Sequence, residues 1–412
     1  MILFCEECGT RHDIDTNQFD GNSYQFECSV CSETLMVTLS KNQGRNAQAN
    51  LESDTSEPSE ISPLRVLVVD DSKLIRRVLR EIIESDYGKK VVGEAEDGKV
   101  ALDLLMRTDP DVITLDVNMP VMDGLTALKH IMIKRPTPTV MISAFTQEGA
   151  LETFDSLKYG AIDFLPKPTQ VKGADLNSQK DQIIQKIELA AAVQIESVRY
   201  LRRFMQKKKL QVDRDENSQP FDFLLTLGAS EGGYGSLLSV IPGLQKHLPA
   251  TYIAVLHQAP QHVDAFARYL NQCSQVEVIR ATDGIPLKAG VCYLATTSEY
   301  AVCEKRQEKI CLRLKADDKS RSCDAIDMLM LSASDAMEHN AAGVILSGTG
   351  KDGVKGMGGI IMKGGTSFVQ SPANCLFKET PLAVTDEYSI DYIIGEKQMA
   401  GAINAFLLSH SV

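Results

Sequence analysis

Short apolar segments, each ending in polar or charged residues, recur between residues 64 and 170 and alternate with amphipathic stretches. The segments read RVLVVDD, VVGEAED, DVITLDV, TVMISAF and DFLPKP. Apolar strands separated by helix-like stretches are typical of parallel sheets with helices on both faces. The pattern therefore predicts a doubly wound α/β domain over residues 64–175.

The same alternation returns between residue 221 and residue 407. The apolar segments there read DFLLTLG, TYIAVLH, QVEVIRA, VCYLAT, AGVILSG, TSFVQS and YSIDYIIG. A chain of 412 residues is too long for one compact core. We therefore predict a second parallel-sheet α/β domain, of the Rossmann-like kind, over residues 221–407.

Two segments flank the first predicted domain. Residues 41–63 are polar and rich in Ser, Asn and Glu, so they predict a flexible linker. Residues 176–220 predict one long helix over 176–209 followed by a linker over 210–220, because apolar residues recur there at a spacing of three and four. The end of that helix is basic, and it is either a solvated helix terminus or a docking surface for an acidic partner. Its basic residues are Arg202, Arg203, Lys207, Lys208 and Lys209.

Composition excludes several classes of function. The net charge is −12, which argues against broad nucleic-acid binding. The chain has no apolar run long enough to cross a membrane, and its N-terminus lacks the features of a secretory signal. We therefore expect a cytoplasmic protein that does not insert into the membrane.

The N-terminal segment carries two closely spaced cysteine pairs, which are Cys5 with Cys8 and Cys28 with Cys31. Two C-x2-C pairs at this separation are typical of a structural zinc ribbon, in which four thiolates fill the tetrahedral shell of Zn²⁺. A segment this short has too little core of its own, which favours a metal over two accidental pairs. We predict a zinc-ribbon-like segment over residues 1–40, with protein docking as its role. The scattered cysteines are predicted to be buried thiols: Cys273, Cys292, Cys303, Cys311, Cys323 and Cys375.

Several predicted strands of the first domain end in polar side chains. RVLVVDD ends in Asp70 and Asp71, DVITLD ends in Asp116, TVMIS ends in Ser143, and IDFLPKP ends near Lys167. In a parallel sheet these ends lie at one edge, where open α/β folds place their sites. Three carboxylates there would bind a hard cation such as Mg²⁺, which assists phosphoryl transfer to a carboxylate. Lys167 adds a positive charge, and Ser143 offers a hydroxyl to a phosphate oxygen.

Residues 64–170 resemble the receiver domains of two-component response regulators, which have a flavodoxin-like fold. The resemblance implies that Asp116 is phosphorylated by a cognate histidine kinase. It makes Ser143 and Lys167 the switch pair, and Phe164, three residues before the lysine, the aromatic switch position. The Mg²⁺ ligands that it implies are Asp70, Asp71, Asp116 and the backbone carbonyl of Asn118.

Ser230 lies in a glycine-rich turn, GASEGG, between a predicted strand and a predicted helix. Such a turn exposes Oγ, and the following helix N-terminus presents backbone N–H groups to an oxyanion. His257 follows the strand TYIAVL, and Asp352 lies in the loop after AGVILSG. A nucleophile, a base and an orienting carboxylate would thus meet at the ends of three strands. By itself, GASEGG also fits a phosphate-binding turn or a glycine-rich turn without function.

The segments GASEGG, HQAP followed by AFARYLN, and LSGTGKDGVKGM resemble the catalytic domain of chemotaxis protein-glutamate methylesterases. Those enzymes also carry a receiver domain ahead of the catalytic domain. The resemblance implies a Ser230–His257–Asp352 triad that hydrolyses γ-glutamyl methyl esters on the cytoplasmic helices of chemoreceptors. It also implies deamidation of receptor glutamines in many members, and a receiver that covers the active site until it is phosphorylated.

Some positions differ from the pattern usual in that family. Glu231 replaces the usual Thr after the nucleophile, and Thr349 replaces the usual Met three residues before Asp352. Ala295-Thr296-Thr297 with Tyr300 stands where the family usually has Ala-Pro-Gly and a downstream His. These differences support a second hypothesis, a phospho-dependent signalling adaptor with the same fold, whereas the intact triad favours the esterase. Two further histidines, His247 and His262, are expected at the surface.

Overall fold

The structure is a computed structural model. It describes residues 2–4, 11–13, 23–27, 34–38, 62–143, 149–167, 176–193, 221–257, 260–306, 309–316 and 325–410. The chain divides into two compact units. The first consists of Met1–Ala144 and Tyr159–Ala191, and the second of Phe145–Lys158 and Ala192–Val412. Each unit is built around its own sheets.

The N-terminal segment contributes two antiparallel strand pairs. Strand β1 (Ile2–Phe4) pairs with β2 (Arg11–Asp13), and β3 (Ser23–Glu27) pairs with β4 (Thr34–Thr38). The predicted zinc ligands Cys5, Cys8, Cys28 and Cys31 lie outside the described residues. The zinc-ribbon-like segment therefore stays a prediction.

The first α/β domain has a five-stranded parallel sheet with the order β6-β5-β7-β8-β9. Its strands are β5 (Leu64–Val69), β6 (Lys89–Ala95), β7 (Val112–Asp116), β8 (Thr139–Ser143) and β9 (Asp163–Pro166). The intervening helices are α1 (Lys73–Glu84), α2 (Gly98–Thr108), α3 (Gly124–Lys134) and α4 (Gly149–Tyr159). This strand order is the flavodoxin-like one, so the predicted fold is confirmed.

Polar residues fix where the first three helices begin. The side chain of Ser72 accepts a hydrogen bond from the backbone N–H of Ile75, and Asp97 and Asp123 cap α2 and α3 in the same way. Such caps satisfy backbone donors that have no partner within the helix. The caps therefore fix where each of the three helices begins after the strand that precedes it.

Helix α5 (Leu176–Ala191) begins at the position predicted for the long helix over 176–209 but ends at Ala191. Residues 194–220 lie outside the described part of the chain. Ile183 and Ile187 are buried, and Lys186 pairs with Asp163 of β9. Because α5 packs on the five-stranded sheet, the first domain continues past the predicted boundary at residue 175.

The second unit has a seven-stranded parallel sheet with the order β12-β14-β11-β10-β17-β18-β19. Its strands are β10 (Phe223–Ala229), β11 (Ala250–Leu256), β12 (Glu277–Arg280), β14 (Val291–Thr296), β17 (Ala341–Ile345), β18 (Thr366–Gln370) and β19 (Tyr392–Ile394). The helices are α6 (Gly233–Val240), α7 (Pro260–Cys273), α8 (Ala325–Met337), α9 (Val354–Met362), α10 (Glu379–Glu387) and α11 (Glu396–His410). The predicted parallel α/β domain is confirmed.

A small antiparallel sheet is an addition that the sequence patterns did not predict. It consists of β13 (Ile285–Pro286), β16 (Lys309–Ala316) and β15 (Glu299–Arg306), in that order. Strand β15 ends in the charged residues EKR, and β16 (KICLRLKA) interrupts its apolar residues with Lys and Arg, so both lack the apolar runs that marked the other strands. The sheet is nevertheless anchored, because Ala301 and Leu312 are fully buried.

Two other expectations about side-chain burial have different outcomes. His247 is exposed as predicted, but His262 is buried in the first turn of α7, so its predicted surface position is wrong. The prediction of buried thiols holds for Cys292 and Cys375, whereas Cys273, Cys303 and Cys311 are partly exposed. Cys323 lies outside the described residues.

Candidate functional site

The acidic pocket lies where strands β5 and β7 end side by side. The two strands are parallel neighbours with Val69 opposite Leu115, so the residues that follow them, Asp70 and Asp116, are adjacent. Both carboxylates are buried, whereas that of Asp71 is exposed. One oxygen from each of the three lies within 4.8 Å of the others. The structure thus brings the three predicted acidic residues together.

Lys167 is the cation that faces these carboxylates. Its Nζ donates a hydrogen bond to Asp116 Oδ2 at 2.8 Å and lies 2.9 Å from Asp70 Oδ2. Burial raises the pKa of Asp116, although Lys167 opposes this shift. Burial alone would lower the pKa of Lys167, but its ion pairs with Asp116 and Asp70 outweigh that effect and raise it. The ammonium is therefore firmly charged.

The donor set of this pocket fits Mg²⁺. Asp70 Oδ1 accepts a hydrogen bond from the backbone N–H of Ser72 at 2.8 Å. Asp70 Oδ2 is buried and, among the described residues, is paired with Lys167 alone, at 2.9 Å. Three carboxylates thus face one lysine, and carboxylate oxygens are the ligands that Mg²⁺ prefers. Receiver domains generally bind Mg²⁺ at such a site.

The other predicted receiver residues lie around this pocket. The backbone N–H of Asn118 hydrogen-bonds to Asp116, and the Asn118 side chain is exposed. Phe164 is buried in β9, three residues before Lys167. Ser143 ends β8, and its side chain lies outside the described part of the structure. The roles proposed for Ser143 and Phe164 as switch residues remain predictions.

A glycine sets how closely α3 approaches the backbone of Asp116. A Cβ added at Gly124 would lie 1.9 Å from the carbonyl oxygen of Asp116, far inside contact distance. The Gly124 N–H donates to the carbonyl of Val117 at 2.9 Å. Only glycine leaves room for this approach, so Gly124 positions the start of α3 against Asp116.

Ser230 lies between strand β10 and helix α6, as the sequence predicts. Gly232 forms the turn with φ +73°, and a Cβ added at Gly233 would lie 2.7 Å from Cβ of Ala229. The carbonyl of Ser230 accepts the N–H of Gly233 at 3.0 Å. The glycines therefore allow a tight turn that leaves the Ser230 side chain at the carboxyl edge of the sheet.

The Ser230 hydroxyl meets the loop that follows β17. The backbone N–H of Thr349 donates to Ser230 Oγ at 2.8 Å, and Oγ lies 3.3 Å from the Thr349 carbonyl, to which it can donate. A Cβ added at Gly348 would lie 2.4 Å from Ser230 Oγ. From β10 the chain first adds β11 and β14 on one side of the sheet and later adds β17 on the other side. The strand order therefore reverses between β10 and β17, and the site lies at this topological switch point.

His257 lies beside Ser230. Strands β10 and β11 pair in parallel with Ala229 opposite Leu256, so Ser230 and His257 follow at matching positions on neighbouring strands. Neighbouring strands are about 4.8 Å apart, which is within side-chain reach. His257 is exposed, and among the described residues no hydrogen bond joins it to Ser230 or Asp352.

Asp352 accepts hydrogen bonds from the first turn of helix α8. The N–H of Ile326 donates to Oδ2 at 3.1 Å, and the N–H of Asp327 donates to Oδ1 at 3.0 Å. In return, the buried Asp327 carboxylate accepts the N–H groups of Gly353 and Gly356, at 2.9 and 2.7 Å, at the start of α9. The two aspartates thus cap each other's helices, and this exchange fixes the loop that carries Asp352.

The sequence patterns did not point to two buried residues near the site, Asp327 and Gln370. The Ser347 N–H and the Ser236 hydroxyl both donate to Gln370 Oε1, at 2.9 and 3.1 Å. The Ser347 hydroxyl lies 3.1 Å from the Glu231 carbonyl, to which it can donate. Asp327 had a local signal, because it lies in the first helical turn after the polar run KSRSCDA. Gln370 had none, because only the sheet brings it behind β17.

Two residues that differ from the usual family pattern lie in different surroundings. Glu231 follows Ser230 and is half-buried, whereas Tyr300 is buried in β15. Thr349 contributes its backbone, not its side chain, to the contact with Ser230. Replacing Met with Thr therefore preserves the donor that this position presents to the hydroxyl.

The fold and the two sites define a response regulator with a hydrolase-like output domain. Family comparison agrees: residues 66–175 match the response regulator receiver domain, and residues 225–403 match the CheB methylesterase family. The catalytic domain of the Thermotoga maritima CheB methylesterase is a similar solved structure. It is 27% identical, covering 45% of this chain and 98% of that one, with a TM-score of 0.43.

Curated relatives extend the match across both domains. A protein-glutamate methylesterase/protein-glutamine glutaminase of Pyrococcus abyssi is 36% identical, over 80% of this chain and 90% of the relative. The Archaeoglobus fulgidus protein of the same name is 35% identical, over 84% of this chain and 98% of that one. The chain therefore belongs to the CheB family of receiver-linked protein-glutamate methylesterases.

Helices long and apolar enough to cross a membrane are absent from the described part of the chain.

Proposed function

We propose that this protein is a phosphorylation-activated protein-glutamate methylesterase that also deamidates glutamine, acting on chemoreceptors of a chemosensory pathway. The observation that carries the proposal is the 2.8 Å hydrogen bond from the Thr349 N–H to Ser230 Oγ, at the switch point of the seven-stranded sheet. A serine hydroxyl beside an oriented backbone donor is the arrangement that acyl transfer needs. Family membership supplies the ester as the substrate class.

In the proposed reaction, Ser230 Oγ attacks the carbonyl carbon of a γ-glutamyl methyl ester while His257 accepts the hydroxyl proton. His257 then returns that proton to the departing methoxide, and methanol leaves an acyl-enzyme on Ser230. Water hydrolyses the acyl-enzyme with His257 again acting as the base, and glutamate is restored. With glutamine as substrate, the first leaving group is ammonia instead of methanol.

The Thr349 N–H is the donor proposed for the oxyanion, together with an N–H at the start of α6. Asp352 is proposed to orient His257. Each of its carboxylate oxygens accepts one backbone N–H from α8, and these two hydrogen bonds fix the orientation of the carboxylate.

Asp116 is the proposed phosphorylation site, and its modification is proposed to raise turnover at Ser230. Mg²⁺ would be held by Asp70, Asp71, Asp116 and the Asn118 carbonyl, and it would neutralise phosphoryl charge. Lys167 holds the Asp116 carboxylate through the 2.8 Å hydrogen bond and would pair with the new phosphate. Ser143 and Phe164 are proposed to relay the change.

The proposed partners follow from this assignment. A histidine kinase of the chemosensory pathway would supply the phosphoryl group, and the cytoplasmic helices of methylated chemoreceptors would be the substrate. The protein would therefore act in the cytoplasm. Residues 1–40 are proposed to bind structural Zn²⁺ through Cys5, Cys8, Cys28 and Cys31 and to dock a partner.

Methanol release tests the proposal. Receptor membranes carrying methylated glutamates are incubated with the full chain, with and without a small phosphodonor. We expect release that rises with the phosphodonor and disappears in Ser230→Ala, whereas Ser239→Ala, which changes a serine of α6, leaves it unchanged. Equal release from wild type and Ser230→Ala in both conditions would rule out the esterase.

Gating is tested at the acidic pocket. Asp116→Asn should abolish the response to the phosphodonor while the basal rate persists, because the amide cannot accept a phosphoryl group. Asp103→Asn, at an exposed aspartate of α2, is the matched control and should respond like wild type. An unchanged response of Asp116→Asn would contradict the assignment.

A phospho-dependent signalling adaptor with the same fold is the second candidate. The observation in its favour is that the Asp352 carboxylate is engaged by α8, with no hydrogen bond to His257 among the described residues. An adaptor would give no methanol above the Ser230→Ala control, yet its partner binding would still respond to the phosphodonor. The two measurements together distinguish the candidates.

A further inference from the structure

The backbone of Gly348–Gly350, the loop that faces Ser230, has a partner for every polar group. The Gly348 N–H donates to the Phe377 carbonyl at 2.9 Å, and the Gly348 carbonyl accepts the Thr380 N–H at 3.1 Å. The Gly350 N–H donates to Glu379 Oε2 at 3.1 Å. All of these partners lie in residues 377–380, which lead into α10.

Thr380 completes this set. Its side-chain hydroxyl lies 3.0 Å from the carbonyl of Thr349 and 3.2 Å from that of Gly350, and it can donate to either. The side chain is buried, and Oγ1 would lie 3.0 Å from a Cβ added at Gly348. Thr380 therefore packs directly against the loop, and its hydroxyl and that of Ser230 both contact the Thr349 carbonyl.

The only loop group not bonded to residues 377–380 is the Thr349 N–H, and it donates to Ser230 Oγ. Because the peptides before and after it are held by Phe377, Thr380 and Glu379, the Thr349 N–H has a fixed direction. The Thr380 hydroxyl does not cap its own helix. Helix α10 starts at Glu379, its N-cap residue Lys378 makes no side-chain cap, and the Thr380 hydroxyl contacts the loop instead.

We propose that Thr380 is a positioning residue that aims the Thr349 N–H at the reacting centre, with Glu379 holding the next peptide. This inference rests on the proposed function of Ser230. The contacts of the hydroxyl are with the loop carbonyls of Thr349 and Gly350, so its proposed action is through the loop. Its removal should misplace the oxyanion donor without removing it, so the loss should fall on kcat and not on KM.

The test compares Thr380→Val, which keeps the shape and removes the donor, with Thr380→Ser, which keeps the hydroxyl. Thr385→Val is the matched control, because Thr385 lies on the same helix and its hydroxyl bonds to Leu382 within α10. Full chains treated with phosphodonor are assayed for methanol release from methylated receptor fragments. Rates are expressed per reactive Ser230, titrated with a fluorophosphonate, so that misfolded protein does not count.

We expect Thr380→Val to lower kcat about tenfold to a hundredfold with KM within twofold of wild type. Thr380→Ser should restore most of kcat, and Thr385→Val should match wild type. A Thr380→Val kcat within threefold of wild type would overturn the proposal. So would a loss that Thr380→Ser does not rescue, because that would indicate a packing role.

Amide hydrogen exchange of residues 348–353 gives a readout that does not depend on turnover. Thr380→Val should speed exchange in this segment, whereas Thr385→Val should not. If wild type and Ser230→Ala release equal methanol, the proposed function fails, and faster exchange in Thr380→Val would still show that Thr380 holds the loop. Unchanged exchange would refute the positioning role whatever the activity.

Discussion

Gly348 offers the sharpest test of the site, because the Ser230 hydroxyl already occupies the space that a Cβ at Gly348 would need. In Gly348→Ala the new methyl would lie 2.4 Å from Ser230 Oγ and 3.4 Å from Ser230 Cβ, and ordinary contact begins at 3.4 Å. One of the groups must therefore move by about 1 Å. Gly348 has no positive φ, so the substitution introduces a steric conflict and no backbone strain.

Each way of relieving this conflict damages the same contact. If Ser230 rotates about χ1, Oγ leaves the Thr349 N–H, which it now meets at 2.8 Å. If the loop moves instead, the Thr349 donor moves with it. A displacement of this size at a reacting group costs about a hundredfold in rate. The stability cost is smaller, about 1–3 kcal/mol, and lowest if the serine simply rotates.

The assay measures kcat for methanol release by the phosphodonor-treated full chain, the rate at which a fluorophosphonate labels Ser230, and the free energy of unfolding in urea. Gly401→Ala is the matched control, because Gly401 is exposed in α11 and a Cβ there has open space. It should keep full activity and gain about 0.5–1 kcal/mol of stability. The reasoning is refuted if Gly348→Ala keeps kcat within threefold of wild type and is labelled at the wild-type rate.

Three other predictions concern stability and thiol chemistry. Asp327→Ala should lower the free energy of unfolding in urea by about 1–3 kcal/mol, because the N–H groups of Gly353 and Gly356 lose their acceptor. Asp327→Asn keeps Oδ1 as an acceptor, so its loss of stability should be smaller. Equal losses in the two variants would contradict the capping role. Val121 is 82% exposed and has a left-handed backbone with φ +65°. Because glycine adopts this conformation without strain, Val121→Gly should raise the free energy of unfolding by about 1 kcal/mol in the same measurement. A loss of stability would show that the strain is absent. Burial raises the pKa of the Cys375 thiol to about 12, so only about one thiol in ten thousand is ionised at pH 8 and iodoacetamide should not modify it in native protein. Rapid alkylation of Cys375, measured by peptide mass spectrometry against a urea-unfolded control, would contradict that burial.

Sequence patterns located the strand ends well, because burial on both faces leaves a clear signal. Strands β7 and β10 are buried along their full length, and the polar residues that interrupt them, Asp116 and Ser230, are therefore conspicuous. Because parallel strands end at one edge, the approximate meeting of Asp70 with Asp116 also followed from the pattern. The distances and hydrogen bonds within each site could not be predicted from the pattern, because they depend on the conformation of the loops that follow the strands.

Other features lacked a local signal. The apolar spacing of the predicted helix over 176–209 continues past Ala191, so periodicity alone could not place the observed end of α5. Residues 377–380 carry no motif, and their role comes from hydrogen bonds to a loop about 30 residues earlier in the chain. His262 is polar and was expected outside, but α7 turns it inward. Side-chain orientation on a short amphipathic helix needs the packed structure.

The two sites solve one geometric problem with different chemistry. In each sheet the site lies where the strand order reverses, between β5 and β7 in one and between β10 and β17 in the other. In each, a glycine allows the backbone to reach the functional residue: Gly124 at the Asp116 carbonyl and Gly348 at the Ser230 hydroxyl. At the first site the buried acids face the Lys167 ammonium, and at the second the hydroxyl faces a neutral N–H. A cation can pair with a lasting phosphoryl group, whereas a neutral donor can stabilise the charge that develops on an oxyanion. The two arrangements therefore suit the switching proposed for the first site and the turnover proposed for the second.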